Sequence, residues 1–266
     1  MKQIDRFALL VSLLVSVPGF AQSPFDGTWK LDNNQTESTA HYSYLLQDGT
    51  FRCTSCDPAV EVKADGQDHK VAGDCFDTVS VRVVDNHTTE ETDRKNGKTV
   101  GTLRMTVSGD GNTATEDWME SCNGRGDAIT GRDIMARSEP GPRGSHAISG
   151  SWKISKRVNR SQNALVISLK LTTDTFSFSD PTDQSYVANL DGTETSVKGD
   201  PTGTVVSLKQ IDERTIEETD KRNGKVVQVT RFVIASDGKM LTISQEDRAN
   251  GGTRRFVATK QQTTTH

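Results

Sequence analysis

Thr88-Thr89-Glu90-Glu91-Thr92-Asp93-Arg94-Lys95-Asn96-Gly97-Lys98 returns almost letter for letter as Thr215-Ile216-Glu217-Glu218-Thr219-Asp220-Lys221-Arg222-Asn223-Gly224-Lys225. Each copy reads as a polar strand, an Asn-Gly pair suited to a two-residue type I′ turn, and a returning strand over 99–108 or 226–235. The chain is therefore a tandem duplication. Outward from this stretch, Gly27-Thr28-Trp29-Lys30 aligns with Gly150-Ser151-Trp152-Lys153, 123 positions on, and Asp110-Gly111 with Asp237-Gly238, 127 positions on. Copies of about 115 residues are long enough for one core each but short for two, so one domain per copy is expected.

Hairpin punctuation recurs throughout: Asp48-Gly49, Asp65-Gly66, Asn96-Gly97 and Asp110-Gly111, then Asp191-Gly192, Asn223-Gly224 and Asp237-Gly238. Short Thr/Val-rich segments lie between. The expected fold is all-β, an antiparallel meander of roughly eight to ten strands per copy. Glu139-Pro140-Gly141-Pro142-Arg143-Gly144-Ser145 reads as a linker. The expected units are 22–138, a linker over 139–147, 148–260, and a tail over 261–266.

At the N-terminus, Lys2 and Arg6 precede an apolar run over 7–17, and Gly19-Phe20-Ala21 puts small residues at −3 and −1 of a cut. Residues 1–21 thus read as a secretory signal peptide, and no Cys follows to carry a lipid. The run is too short for a good membrane span. An exported protein, periplasmic or extracellular, is expected, with no transmembrane segment in the mature chain. The formal charge is −4, and removing Lys2, Asp5 and Arg6 leaves −5. With no Lys/Arg stripe, nucleic acid is not an expected partner. An apolar share of 32% is low, which fits thin cores and a partly polar interior.

All four cysteines, Cys53, Cys56, Cys75 and Cys122, lie in the first copy. Export makes disulfides their natural reading, and three pairings are possible. We favour Cys53–Cys56 as a local loop and Cys75–Cys122 across the domain. Phe178 and Ala249 stand opposite Cys53 and Cys122 in the second copy, so the shared fold does not need the sulfurs. A redox Cys-x-x-Cys wants a helix N-terminus, and this one sits in strand-like sequence. A four-cysteine zinc site wants a second close pair, which is absent.

The opening Gly27-x-Trp29 and Gly150-x-Trp152 resembles the first strand of lipocalins and the related fatty-acid-binding barrels. The mature chain as a whole resembles bacterial exported proteins described as lipocalin-like, whose function is not established. The resemblance implies two tandem antiparallel up-and-down β-barrels joined by the Pro/Gly linker, each with a small-molecule cavity. It also implies that Trp29 and Trp152 close the barrel bases beneath a basic residue of the last strand, Arg132 or Arg137 for Trp29 and Arg254 or Arg255 for Trp152. Two β-sandwiches, or one larger barrel shared by both copies, are the alternatives. An immunoglobulin-like sandwich would place Trp between cysteines, whereas Trp29 precedes all four.

Hairpin geometry suggests which side chains point inward. A tip at Asn86-His87 sets Val83 against Glu90, and Asn96-Gly97 sets Glu90 against Leu103. One face then holds Val81, Val83, Thr88, Glu90, Thr92, Leu103, Met105 and Val107, the expected interior. Arg82, Thr89, Glu91, Asp93, Thr102 and Arg104 fall outside, where Arg82–Glu91–Arg104, like Lys209–Glu218–Arg231, reads as surface ion pairs. The candidate ligand contacts are therefore Glu90, Thr88 and Thr92, and their equivalents Glu217, Thr215 and Thr219. Leu208 and Phe232 would add apolar wall in the second copy.

Ser108-Gly109-Asp110-Gly111-Asn112 lacks the acidic spacing of a calcium loop and reads as a hairpin tip. Five histidines are scattered, and no hydrolase elbow, zincin or phosphate-loop motif is present. Adjacent carboxylates such as Glu90-Glu91 point to opposite faces of a strand. No catalytic site, metal or cofactor is expected. The leading expectation is a non-enzymatic binding protein for a small amphipathic or apolar molecule; a cell-envelope or extracellular protein-interaction module is the alternative.

Overall fold

The computed structural model describes residues 23–56, 58–249 and 251–262. The signal segment expected over 1–21 and the tail from 263 on lie outside the described residues. The first half contains β1 (Gly27–Leu31), β2 (Glu37–Ser38), β3 (Tyr42–Gln47), β4 (Thr50–Cys53), β5 (Val60–Lys63), β6 (His69–Lys70), β7 (Thr78–Asp85), β8 (Thr88–Lys95), β9 (Lys98–Val107), β10 (Thr113–Glu120) and β11 (Ile129–Pro140). The second contains β12 (Gly150–Arg160), β13 (Val166–Leu171), β14 (Thr175–Ser179), β15 (Ser185–Asn189), β16 (Thr195–Ser196), β17 (Val205–Asp212), β18 (Thr215–Arg222), β19 (Lys225–Ile234), β20 (Met240–Asp247) and β21 (Thr253–Lys260). The repeated Asn-Gly pairs take positive φ at both residues, 51° and 77° at Asn96-Gly97 and 50° and 73° at Asn223-Gly224, as a type I′ turn demands. Ser108–Asn112 is a hairpin tip, with Ser108 N–H donating to Thr113 O. Among the described residues no helix is long and apolar enough to cross a membrane.

The strands form two nearly closed antiparallel barrels, neither two sandwiches nor one shared barrel. Barrel one runs β5-β4-β3-β12-β11-β10-β9-β8-β7-β6, and barrel two runs β15-β14-β13-β1-β21-β20-β19-β18-β17-β16. Isolated bridges, Asp65 to Arg82 in the first and Ser185 to Lys198 in the second, draw the open edges together.

The two opening strands have changed places. β1 pairs with β13 and β21, and β12 pairs with β3 and β11. Trp29 therefore faces Ile167 in barrel two, and Trp152 faces Tyr42 in barrel one, in equivalent registers. This corrects the expected units 22–138 and 148–260. Barrel one takes its strands from 42–160, and barrel two from 166–260 plus 27–31. It also corrects the linker: β11 continues to Pro140, and 141–149 is a loop joining paired neighbours, held by Gly141 N–H to Ser149 O. The crossings between barrels are 32–41 and 161–165. Locality explains the choice, because β12 reaches β11 across a short loop at little closure cost.

Both tryptophans are fully buried, and each indole N–H donates to a backbone carbonyl four residues earlier, Phe25 O at 2.9 Å and Ile148 O at 2.8 Å. Of the expected bases Arg137 does stack, but on Trp152 rather than Trp29, and Lys260 takes the place expected of Arg254 or Arg255. Arg137 lies 4.0 Å over Trp152, and Lys260 lies 5.2 Å from the Trp29 ring centre; Arg132 instead pairs with Asp117 outside. Arg137 and Lys260 occupy the same register opposite the two indoles. Glycine at the head of each opening strand has a steric reason. Gly150 has φ +128°, and a Cβ there would stand 2.3 Å from Glu139 O.

The expected inward face is corrected on β8 and on its equivalent β18. A bulge between Val83 and Asp85 gives Val81 to Glu91 and Arg82 to Glu90; a second between Asp93 and Arg94 gives Glu91 to Leu103 and Glu90 to Arg104. Bulges recur between Gln210 and Asp212 and between Asp220 and Lys221. Each pair brackets one strand, so Val81 of β7 and Met105 and Val107 of β9 keep their expected buried face while β8 turns over, and Val83, expected inside, is exposed at the end of β7.

Candidate functional site

Glu90 and Glu217, and with them Thr88, Thr92, Thr215 and Thr219, fall on the side of β8 and β18 opposite the barrel interior. Glu90 is held by Arg82 and Arg104, and Glu217 by Arg231 at 2.7 Å. Thr88, buried at the hairpin end, bonds to Thr106. The expected outer ion pairs exist as Arg82–Glu90–Arg104 and Glu217–Arg231, with Glu90 and Glu217 in the places assigned to Glu91 and Glu218. The inward residues are Thr89, Glu91 and Asp93 in barrel one and Ile216, Glu218 and Asp220 in barrel two. Ile216, apolar and in phase with Glu218 and Asp220, is the sequence signal that marks this face.

Barrel two encloses a cavity of about 550 Å³. Ile167, Phe178, Val206, Phe232, Ile243 and Phe256 supply apolar wall, and Glu218 and Asp220 form its polar side. Glu218 accepts from the Tyr186 hydroxyl. Asp220 Oδ2 accepts from Gln228 Nε2 at 3.1 Å, whereas its Oδ1 is buried with no hydrogen-bond partner. Burial, and then the charge of Asp220, pushes the Glu218 carboxyl well above the ordinary range; burial likewise raises Asp220. Two carboxyls this close do not both ionise readily, so the pair favours holding a proton.

Barrel one has a cavity of about 420 Å³ filled differently. Arg160 makes two 2.7 Å hydrogen bonds to Asp133, and its guanidinium lies 4.6 Å over Trp118, whose indole N–H also donates to Asp133 at 3.1 Å. Tyr44 O–H donates to Glu116 at 3.4 Å. Burial and neighbouring acids push Glu91 to about 8, and burial and Asp133 push Glu116 to about 7. At the equivalent register positions barrel two carries Ile243 for Glu116 and Phe256 for Asp133. The duplicated scaffold thus holds a polar network in one barrel and an apolar pocket in the other.

The cysteines pair as Cys53–Cys56 and Cys75–Cys122. The second disulfide ties the loop before β7 to the loop after β10, and its two residues line both cavities. The barrels meet at this end. Arg125 N–H donates to Thr182 O at 3.2 Å, and Gly124 packs so closely on Gly199 that a Cβ would stand 2.8 Å from its Cα.

No protein-family model matches the chain, and no curated protein matches it. The assignment of function therefore rests on the cavities themselves.

Proposed function

We propose that this chain is an exported, non-enzymatic, lipocalin-like binding protein that holds a small amphipathic molecule in barrel two. The supporting observation is the cavity of about 550 Å³, apolar on most sides with one carboxylate pair as its polar feature. Small-molecule sites have this composition: apolar wall for affinity and a few polar groups for orientation. Two disulfides suit an oxidising compartment. Barrel one, where Arg160 is held inside by Asp133, serves as the partner that covers the mouth.

Titration with the neutral fluorescent probe N-phenyl-1-naphthylamine tests this reading. One probe per chain should bind, with enhanced emission, and Ile243→Trp, which fills the pocket, should abolish binding at unchanged circular dichroism. Leu103→Trp in barrel one should leave it intact. Absence of binding, or equal binding by the filled variant, refutes a ligand site in barrel two.

A further inference from the structure

We propose that loop 121–128 of barrel one is the lid of the cavity in barrel two and that the Cys75–Cys122 disulfide latches it shut; this rests on the reading of that cavity as a ligand site. Of the described residues that line the cavity, Cys75 and Cys122 are the two that belong to barrel one. The same two line the cavity of barrel one, so the disulfide is a wall common to both interiors. A molecule in barrel two lies directly behind it.

The lid is a small folded unit laid across the rim of barrel two. Asn123 gathers it: Oδ1 accepts from the N–H groups of Arg125 at 3.2 Å and Asp127 at 3.1 Å, and Nδ2 donates to Asp127 O at 2.7 Å. Three light contacts then rest on the rim. Arg125 N–H donates to Thr182 O, Gly124 lies against Asp183 and Gly199 of the loops before β15 and after β16, and Ala128 O accepts from Asn163 Nδ2 at 3.2 Å. Gly124, Arg125 and Ala128 are all exposed. Between Ser121, whose N–H donates to Val100 O at 2.7 Å, and the start of β11, the disulfide is the one bond from the loop back to barrel one among the described residues. A segment with few buried contacts opens at low cost, and a cross-link at its base removes most of the open conformations.

The second copy shows that the fold itself does not ask for this bond. Ala249 stands in the place of Cys122, and the turn there packs back on the crossing segment, with Gly252 against Ala40. The cross-link belongs to the copy whose loop covers the other barrel. Cys75 and Cys122 are half-exposed, whereas Cys53 is buried, so a dithiol reaches the latch more readily than the other disulfide. One thiolate of the dithiol attacks a sulfur of the pair, and the other sulfur leaves as a thiolate that takes up a proton. The second thiol then displaces the protein from the mixed disulfide, so the dithiol ends oxidised and the protein holds two thiols.

Stopped-flow fluorescence of the full chain with N-phenyl-1-naphthylamine reads the lid. In Cys75→Ser/Cys122→Ser the association and dissociation rates should both rise by at least about tenfold while the dissociation constant moves by less than about threefold, because a lid sets how fast a site fills rather than how well. Wild-type chain treated with dithiothreitol should behave alike, and Cys53→Ser/Cys56→Ser should keep the wild-type rates. Gly124→Val retains the disulfide but wedges the lid off Gly199, so it should also raise both rates. Unchanged rates in a folded Cys75→Ser/Cys122→Ser, or in a folded Gly124→Val where the serine pair fails to fold, overturn the lid while leaving a ligand site in barrel two. Faster dissociation at unchanged association makes the disulfide a ligand contact and overturns the latch. If the wild-type chain binds no probe, both readings fall.

Discussion

Glu90 and Glu91 are neighbours in sequence with opposite energetics. Glu90 spans two arginines at the surface, where an exposed ion pair contributes about 0–1 kcal/mol, so Glu90→Gln should change the melting temperature by no more than a few degrees. Glu91 faces inward beside Asp93, and its carboxyl is raised from 4.5 to about 8. The folded chain then binds more protons than the unfolded one between those values. Stability accordingly falls as pH rises through that window, the opposite of a salt-bridged carboxylate. Glu116, raised to about 7, acts in the same direction. Thermal melts of the wild-type chain should therefore be higher near pH 5 than near pH 8, by several degrees on an order-of-magnitude basis, and Glu91→Gln should flatten the profile. A profile that rises with pH would show these carboxyls ionised and paired in the fold. Which glutamate points inward was hard to read from sequence because it hangs on single bulged residues. The hairpin at 86–87 looks like a plain two-residue tip, yet Val84 is extra, and one extra residue exchanges the faces.

Strands and turns were far more legible than faces. Asp48-Gly49, Asp110-Gly111, Asp237-Gly238 and the two Asn-Gly pairs locate hairpins because few residues other than Gly, Asn and Asp accept positive φ, whereas Asp65-Gly66 and Asp191-Gly192, expected as hairpins, join the open edges β5 to β6 and β15 to β16, which do not pair. The disulfides, too, followed from export and spacing, although three pairings stood open. They differ in what they constrain. Cys75–Cys122 closes a separation of 47 residues and Cys53–Cys56 one of 3. Chain entropy assigns the first about 4 kcal/mol and the second about 1.5 kcal/mol. Denaturant melts should thus show a larger loss for Cys75→Ser/Cys122→Ser than for Cys53→Ser/Cys56→Ser, and unfolded, unreduced wild-type protein should take up no thiol label. Equal losses would place the stabilisation elsewhere. The exchange of β1 and β12 left no trace in local pattern. Gly-Thr-Trp-Lys and Gly-Ser-Trp-Lys offer each barrel nearly the same plug, and the decision lies in loop lengths acting over the whole chain.

The molecule as a whole is two barrels, each completed by the strand that begins the other repeat. Residues 148–266 alone still contain one opening strand, and β12 matches β1 where it would meet β13 except for Ser151 in place of Thr28. That fragment should fold cooperatively with β-rich circular dichroism, Trp152 taking the place of Trp29. Residues 162–266 have no such strand. They should fold poorly alone and gain structure when a peptide covering 23–36 is added, as hydrophobic closure of the base is restored. If 162–266 folds unaided, β1 is dispensable to barrel two.

The exchange also sets an order of events when the chain emerges from its N-terminus. β1 appears first, but its place between β13 and β21 does not exist until residue 260 has followed. Meanwhile a vacant and nearly identical place opens between β3 and β11 once residue 140 is out. β1 is then an early tenant, and β12, tethered to β11 by 141–149 at high effective concentration, is the later one that must displace it. Hydrogen exchange on a chain arrested with residues 1–149 emerged should find the amides of 27–31 already protected, and they should keep protection in the complete chain beside β13 and β21; unprotected amides in the arrested chain would mean that the strand never changes hosts.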